Sequence, residues 1–255
     1  MRKFLEKIYI ILKIMFNLFS ISNICKLNSL NLLRQMQTII PACLPATMIT
    51  SCFMSLVFSL QIVKEFLYLN ASDLVGSVLT IIFLRELSPV LTSIILIGKI
   101  GSYFTAELAT MKITEQIDVL YILNINPISY LVIPRILAFI IILPLLNCLS
   151  LLTSLSSSSF ICFILYNIHP KMFFLSVLTS LSYQDLIKSC LKTIIFALFI
   201  STISCVWGLT SQGGAKGVGE SITKSVVISL LSVLCLDFIL SYYMFNSLDS
   251  VLKSL

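Results

Sequence analysis

The sequence predicts an all-α integral membrane protein: an N-terminal interfacial amphipathic helix followed by about five transmembrane helices. Three observations carry this. Of 255 residues, 58% are hydrophobic and only 11% charged, with a mean hydropathy of +1.05, whereas ordinary soluble domains carry about 25% charged residues. Uncharged runs recur that are long enough, at about 1.5 Å rise per residue, to cross a hydrocarbon core of about 30 Å. These runs are too long and too many to be alternating faces of one soluble core, which excludes a soluble enzyme. Finally, the net charge of +6 is local: Arg2, Lys3, Lys7, Lys13, Lys26 and Arg34 all precede Gln35. Such a cluster reads as a membrane-surface segment and argues against a nucleic-acid partner.

Residues 1–34 form the interfacial segment. At about 100° per residue, Phe4, Leu5, Ile8, Leu12, Met15, Phe16 and Phe19 fall on one half of a helix; Arg2, Lys3, Glu6, Lys13, Asn17 and Ser20 fall on the other. Lys7 and Lys13 interrupt any signal-peptide core, and no small-residue cleavage site follows. The remainder, 35–255, is one membrane domain with spans at about 39–63, 89–111, 136–165, 193–212 and 225–246. The stretch from Leu74 to Met111 would make a helix of about 57 Å and contains Arg85, Glu86, Pro89, Lys99 and Glu107. It is expected to break, with a span starting at Pro89 and Leu74 to Leu84 lying as a short interfacial helix. With the N-terminus inside, Lys112, Arg135, Lys216 and Lys224 join the N-terminal charges on the inner side. Lys64, Lys171, Lys188, Lys192 and Lys253 fall outside, a balance that favours N-inside, C-outside.

Eight cysteines are scattered singly, without a paired motif, and read as small buried hydrophobes. The single histidine, His169, sits in an outer loop before Pro170 and leaves little for imidazole ligation, so no metal or cofactor is expected. Abundant Ile and scarce Ala fit an AT-rich genome such as an organelle's.

The intramembrane polar residues Arg85, Glu86, Lys99, Glu107 and Asp237 are costly and should face protein or water. Lys99 and Asp237 stand at matching depths in their spans. Two arrangements fit: a Lys99–Asp237 ion pair, or Lys99 snorkelling while Asp237 bonds locally. Gly98 and Gly101 flank Lys99 and allow a close helix contact. Gly213, Gly214, Gly217 and Gly219 do not form a phosphate loop, because Lys216 is followed by Gly217 rather than by a hydroxyl residue. They form an elbow, read either as a tight turn before a helix capped around Ser221 or as a closely packed partner contact. Between the second and third spans, Thr114 is placed to cap a short helix with Glu115 and Asp118 in its first turn, ending by about Leu123 before Asn124 and Pro127. Ile117, Leu120 and Tyr121 would give it an apolar face for a groove on a soluble partner.

Leu84-Arg-Glu-Leu-Ser-Pro-Val-Leu-Thr92, Gly98-Lys-Ile-Gly101, Ala106-Glu-Leu-Ala-Thr-Met111, Thr114-Glu-Gln-Ile-Asp118, Pro134-Arg135 and the glycine elbow with Val226-Val227 occur in order between Leu56 and Phe245. Together they resemble the MlaE family of ABC-transporter permeases. The resemblance implies a permease that dimerises, binds two copies of an ABC ATPase subunit and works with a membrane-anchored MCE-domain lipid-binding protein in phospholipid traffic. ATP would be bound by the partner, and Thr114, Glu115, Gln116 and Asp118 would belong to the element docking on it. The family usually has Gly at Ser88, Ala109 and Asn124, Arg at Lys99 and Asp at Asn126. Lys99 lacks the planar fork of Arg, so a bidentate contact there is not inherited. The composition resembles plastid-encoded algal members, which implies the plastid inner envelope, with a bacterial inner membrane as the alternative. Two other classes of function fit the bare residues: an ATPase-independent channel or assembly scaffold, and an intramembrane enzyme using Glu86, Lys99, Glu107 and Asp237 as acids and bases. The absence of a zinc-protease or serine-hydrolase motif weighs against the enzyme.

Overall fold

A computed structural model describes Ile10, Ile11, Ile14 and residues 29–245. Residues 29–245 form seven helices, and there is no strand among the described residues: α1 (Ser29–Tyr68), α2 (Ser72–Ile113), α3 (Gln116–Ile122), α4 (Ile128–Tyr166), α5 (Pro170–Ser180), α6 (Tyr183–Leu209) and α7 (Gly214–Phe245). Five of them, α1, α2, α4, α6 and α7, are long and apolar enough to cross a membrane. The protein is a multi-pass helical membrane protein. Most of the predicted N-terminal amphipathic helix lies outside the described residues. Ile14, which is not on its predicted apolar face, is fully buried against Leu108, Ile136 and Val206.

The expected break at Pro89 does not occur. α2 runs unbroken from Ser72 to Ile113, and Leu74 to Leu84 belongs to it rather than to a separate interfacial helix. The reason lies in its backbone. Phe83–Leu87 is a π-helical turn in which the Ser88 N–H donates to the Phe83 carbonyl, so the chain gains one residue just ahead of the proline. Pro89 has no N–H to give the Arg85 carbonyl four residues back. That carbonyl instead accepts from Lys192 Nζ at 2.9 Å. A second π-helical turn covers Ile97–Gly101. A third, Ile128–Val132, precedes Pro134 in the same register as the first precedes Pro89. α5 was not foreseen; Pro170 occupies its first turn, with His169 at the N-cap.

The chain forms two compact units. Unit one is drawn from the described residues up to Cys43 and from Ile94–Leu143 and Ile194–Leu234; unit two is drawn from Leu44–Ser93, Pro144–Thr193 and the described residues from Cys235. In lipid there is no hydrophobic drive between helices, so close packing and hydrogen bonds must hold each unit together. In unit one, a Cβ on Gly208 would lie 2.7 Å from Leu108 Cβ; glycine there lets α6 close on α2. Thr105 and Ser225 hydroxyls meet at 2.9 Å, and Phe104 packs edge-on to Phe139. In unit two, hydroxyls one helical turn apart pair across α1 and α4: Ser51 with Thr153 at 2.6 Å, and Ser55 with Ser157. Ser88 donates to Asn147 Oδ1 at 2.7 Å, and Asn147 Nδ2 donates to Ser189 at 3.1 Å, tying α2, α4 and α6. Among the described residues the cysteines are free: Cys43, Cys162 and Cys205 are buried as expected, while Cys148 and Cys235 are exposed.

Candidate functional site

Unit one carries the connection from α2 to α4, with α3 at its tip. Thr114 does not cap α3. Its hydroxyl donates back to the Thr110 carbonyl at 2.9 Å and closes α2. Glu115 turns the chain instead, in the left-handed region at φ 60°, a conformation that costs a non-glycine residue on the order of 1 kcal/mol. The end of α3 is as expected. Asn124, at φ 58°, takes the left-handed position, and the Ile125 N–H reaches back to the Leu120 carbonyl at 2.9 Å in a Schellman closure.

The apolar face of α3 differs from the predicted one. Ile117 is buried and pins the helix to unit one, while Val119, Tyr121, Ile122 and Leu123 project outward, Ile122 with 82% of its surface exposed. Thr114, Glu115, Gln116 and Asp118 are exposed beside them. Asp118 accepts from Lys112 Nζ at 2.9 Å, a half-exposed clamp between the last turn of α2 and the first of α3. Such a pair fixes geometry more than it adds stability, about 0–1 kcal/mol. Below α3, Arg135 of α4 is only 2% exposed; its Nη2 donates to Glu107 Oε1 of α2 at 3.0 Å, and its guanidinium lies over the Phe104 ring, 5.9 Å from the centroid. The two strands of chain that carry α3 are thus joined at their base by a buried ion pair.

The glycine elbow between α6 and α7 also lies in unit one. Gly213 and Gly214 have φ of 96° and 67°, which side chains disfavour, and a Cβ on Gly217 would sit 1.8 Å from the Gln212 carbonyl oxygen. Gly219 faces open space. Ser221 does not cap α7, which already begins at Gly214; its hydroxyl donates to the Gly217 carbonyl at 2.8 Å.

This architecture agrees with the sequence comparisons. The family described as Permease MlaE matches residues 32–243. The chain belongs to the MlaE permease family. Among its relatives, a probable ABC transporter permease protein, ycf63, of Pyropia yezoensis is 47% identical over 98% of this chain and 95% of the relative. A probable ABC transporter permease protein of Synechocystis sp. is 42% identical over 87% of this chain and 84% of the relative. The Arabidopsis thaliana protein TRIGALACTOSYLDIACYLGLYCEROL 1, chloroplastic, is 39% identical over 90% of this chain and 65% of the relative.

The MlaE permease places its other predicted polar residues as follows. Lys99 and Asp237 do not pair, and neither of the two arrangements expected for them is the one found. Lys99, in unit one, donates to the Ala42 carbonyl of α1 at 2.9 Å beside a cavity of about 310 Å³ that Thr38 and Tyr103 also line. Asp237, in unit two, pairs with Lys192 at 2.6 Å. Of the two glycines flanking Lys99, only Gly101 makes a close contact, against Ser204; Gly98 has open space around its Cα.

Lys192 is the residue the sequence reading missed. By sequence it reads as an outer loop charge, yet it is fully buried, and its ammonium meets Glu86 at 3.1 Å, Asp237 at 2.6 Å, Ser241 at 2.9 Å and the Arg85 carbonyl at 2.9 Å. Arg85 and Glu86, adjacent on the π-helical turn, point apart and serve different partners: Arg85 pairs with Asp185 at 3.0 Å. A signal for α6 was present, since Asp185, Ser189 and Lys192 recur at helical spacing and form one polar stripe. Unit two therefore holds α2, α6 and α7 through one cation shared by two carboxylates. The arrangement satisfies charge, and no set of metal ligands occurs among the described residues.

Proposed function

We propose that this chain is the membrane permease of an ABC transporter that moves phospholipid, or a related lipid, between membranes, with ATP bound and hydrolysed by a separate ATPase subunit. The observation that carries the reading is α3. An exposed apolar crest of Val119, Tyr121, Ile122 and Leu123 stands on the buried anchor Ile117, and its base is held by Glu107–Arg135. A soluble partner pressing on such a rigid tip moves the ends of α2 and α4 with it. Exposed aromatic and aliphatic side chains framed by Glu115 and Asp118 suit a groove with a polar, basic rim. The elbow glycines support a second close approach beside it.

The family supports a homodimer working with an MCE-domain lipid-binding protein, and the relative named chloroplastic supports the plastid inner envelope, with the N-terminus in the stroma. The test is capture from native membranes. The tagged chain retains a P-loop ATPase and an MCE-domain protein together with phospholipid, and Ile122→Asp loses the ATPase while keeping the fold. A chain that purifies without any ATPase, or an I122D variant that retains it fully, turns the reading toward a channel or scaffold.

A further inference from the structure

Unit two contains a cavity of about 630 Å³ where the end of α1, the start of α2, the end of α4 and the length of α5 meet. Its volume lies within the range of about 300–1,000 Å³ typical of small-molecule sites. The wall between α2 and α5 is rigid, because a Cβ on Gly76 would fall 2.1 Å from Ser176 Oγ and 2.7 Å from the Phe173 carbonyl oxygen. The floor is apolar, formed by Leu67, Met172 and Phe173, while the polar lining is Ser72, Asp73, Asn167 and His169.

Two features define what would fill it. First, its depth is that of lipid headgroups. Tyr68 closes α1 and Tyr183 opens α6, and these tyrosines are 84% and 87% exposed, the placement of an aromatic belt at a membrane–water interface. Second, its chemistry is that of an acceptor. Asp73 is its carboxylate, met among the described residues only by the Ser72 hydroxyl at 3.5 Å, and no described Lys or Arg side chain lines the cavity. Among the described residues the His169 ring and the Asn167 amide have no hydrogen-bond partner. A carboxylate with no cation beside it attracts hydroxyls and ammonium groups and repels phosphate monoanions whose charge is uncompensated.

We propose that this cavity is a lipid headgroup site that takes a hydrogen-bond-donating headgroup without net negative charge, bound through Asp73 with Asn167 and His169 beside it. The shared chemistry has two sources: the hydroxyls of a sugar headgroup, and the ammonium of a zwitterionic phospholipid. This deepens the lipid-transport reading by naming a substrate class, but lipid binding here requires no ATPase and is tested without one.

The experiment uses the purified full chain in mild detergent, incubated with equal amounts of hexosyl-diacylglycerol, phosphatidylethanolamine and phosphatidylglycerol bearing the same acyl chains. Native mass spectrometry reads the retained lipid. The wild-type chain is expected to favour one or both of the first two over phosphatidylglycerol by about tenfold, the scale of one charge-assisted hydrogen bond. Preference for the hexosyl lipid alone identifies sugar hydroxyls; preference for phosphatidylethanolamine alone identifies the ammonium. Asp73→Asn, at an exposed position, keeps the fold, monitored by its melting temperature, and is expected to erase the preference. Thr179→Trp, at an exposed position on the cavity lining, fills the cavity and is expected to remove the preference independently. Equal or greater retention of phosphatidylglycerol by the wild-type chain, or an undiminished preference in D73N, overturns the proposal. A preference that depends on Asp73 in a chain that moves no lipid with ATP leaves the site standing and removes the transport reading.

Discussion

Replacing Lys192 by Met tests how unit two is held together. The ammonium is fully buried and lies at 3.1 Å or less from two carboxylates, one hydroxyl and one backbone carbonyl. Met keeps the length of the stem and removes only the charge. Glu86 and Asp237 are then left facing each other without a cation, and the Arg85 carbonyl, already deprived of an N–H by Pro89, loses its donor. Breaking a buried ion pair costs about 3–5 kcal/mol and orphaning a buried carbonyl about 1–3 kcal/mol. Polar contacts inside membranes average nearer 0.6 kcal/mol, because the unfolded chain in lipid finds other partners. Full burial and the doubled carboxylate place this site well above that average, at about 3 kcal/mol. For a chain of this size that corresponds to a fall in melting temperature of about 6–12 °C, read by intrinsic fluorescence in one detergent at one scan rate. Adding Asp237→Asn to the variant removes one of the two stranded charges and should recover at least half of the loss. A single variant that melts within about 2 °C of the wild type, or a double variant no better than the single, refutes the view that Lys192 is the shared cation.

Other perturbations have equally definite outcomes. Gly217→Ala places a methyl against the Gln212 carbonyl oxygen and should lower the melting temperature, whereas Gly219→Ala meets nothing and should leave it unchanged or raise it slightly through the better helix propensity of Ala, worth up to about 1 kcal/mol; equal effects at the two positions would contradict the elbow geometry. Arg135→Ala strands Glu107 and should destabilise by about 3 kcal/mol, visible as the same kind of thermal shift, while Asp118→Asn at the half-exposed clamp should change the melting temperature by less than about 2 °C. Gly208→Leu should force α6 away from α2, and loss of folded protein on size-exclusion chromatography is the expected readout.

The five spans were legible because hydropathy summed over a whole helix is a strong signal that side-chain detail cannot erase. The end of α3 was legible for a local reason: Asn124 and Pro127 leave the chain few ways to continue. The π-helical turn at Phe83–Leu87 was not legible. It is a shift of one residue in hydrogen-bond register, it leaves the composition untouched, and it removes the break that Pro89 otherwise implies. Lys192 was misplaced because a basic residue near the end of an apolar run reads as a loop charge; only its partners on α2 and α7 reveal that it is interior. Arg135 likewise reads by sequence as a loop cation and is a buried partner of Glu107. The pairing of Lys99 with Asp237 was argued from matching depth alone, and depth does not say which helices are neighbours. Capping at Thr114 and Ser221 was argued from residue type, yet in both cases the hydroxyl bonds a carbonyl one turn back, an option equally open to Thr and Ser.

The proposed conversion of a partner's ATP hydrolysis into lipid movement through α3 can be measured directly. The direct measurement is transfer of a fluorescent phospholipid in proteoliposomes containing the permease, its co-purified ATPase and the MCE-domain protein, with ATP hydrolysis recorded in the same samples. Transfer that requires ATP, and that Ile122→Asp abolishes in a correctly folded chain, is the predicted result. Transfer that proceeds at the same rate without ATP, or that I122D leaves unchanged, would contradict it.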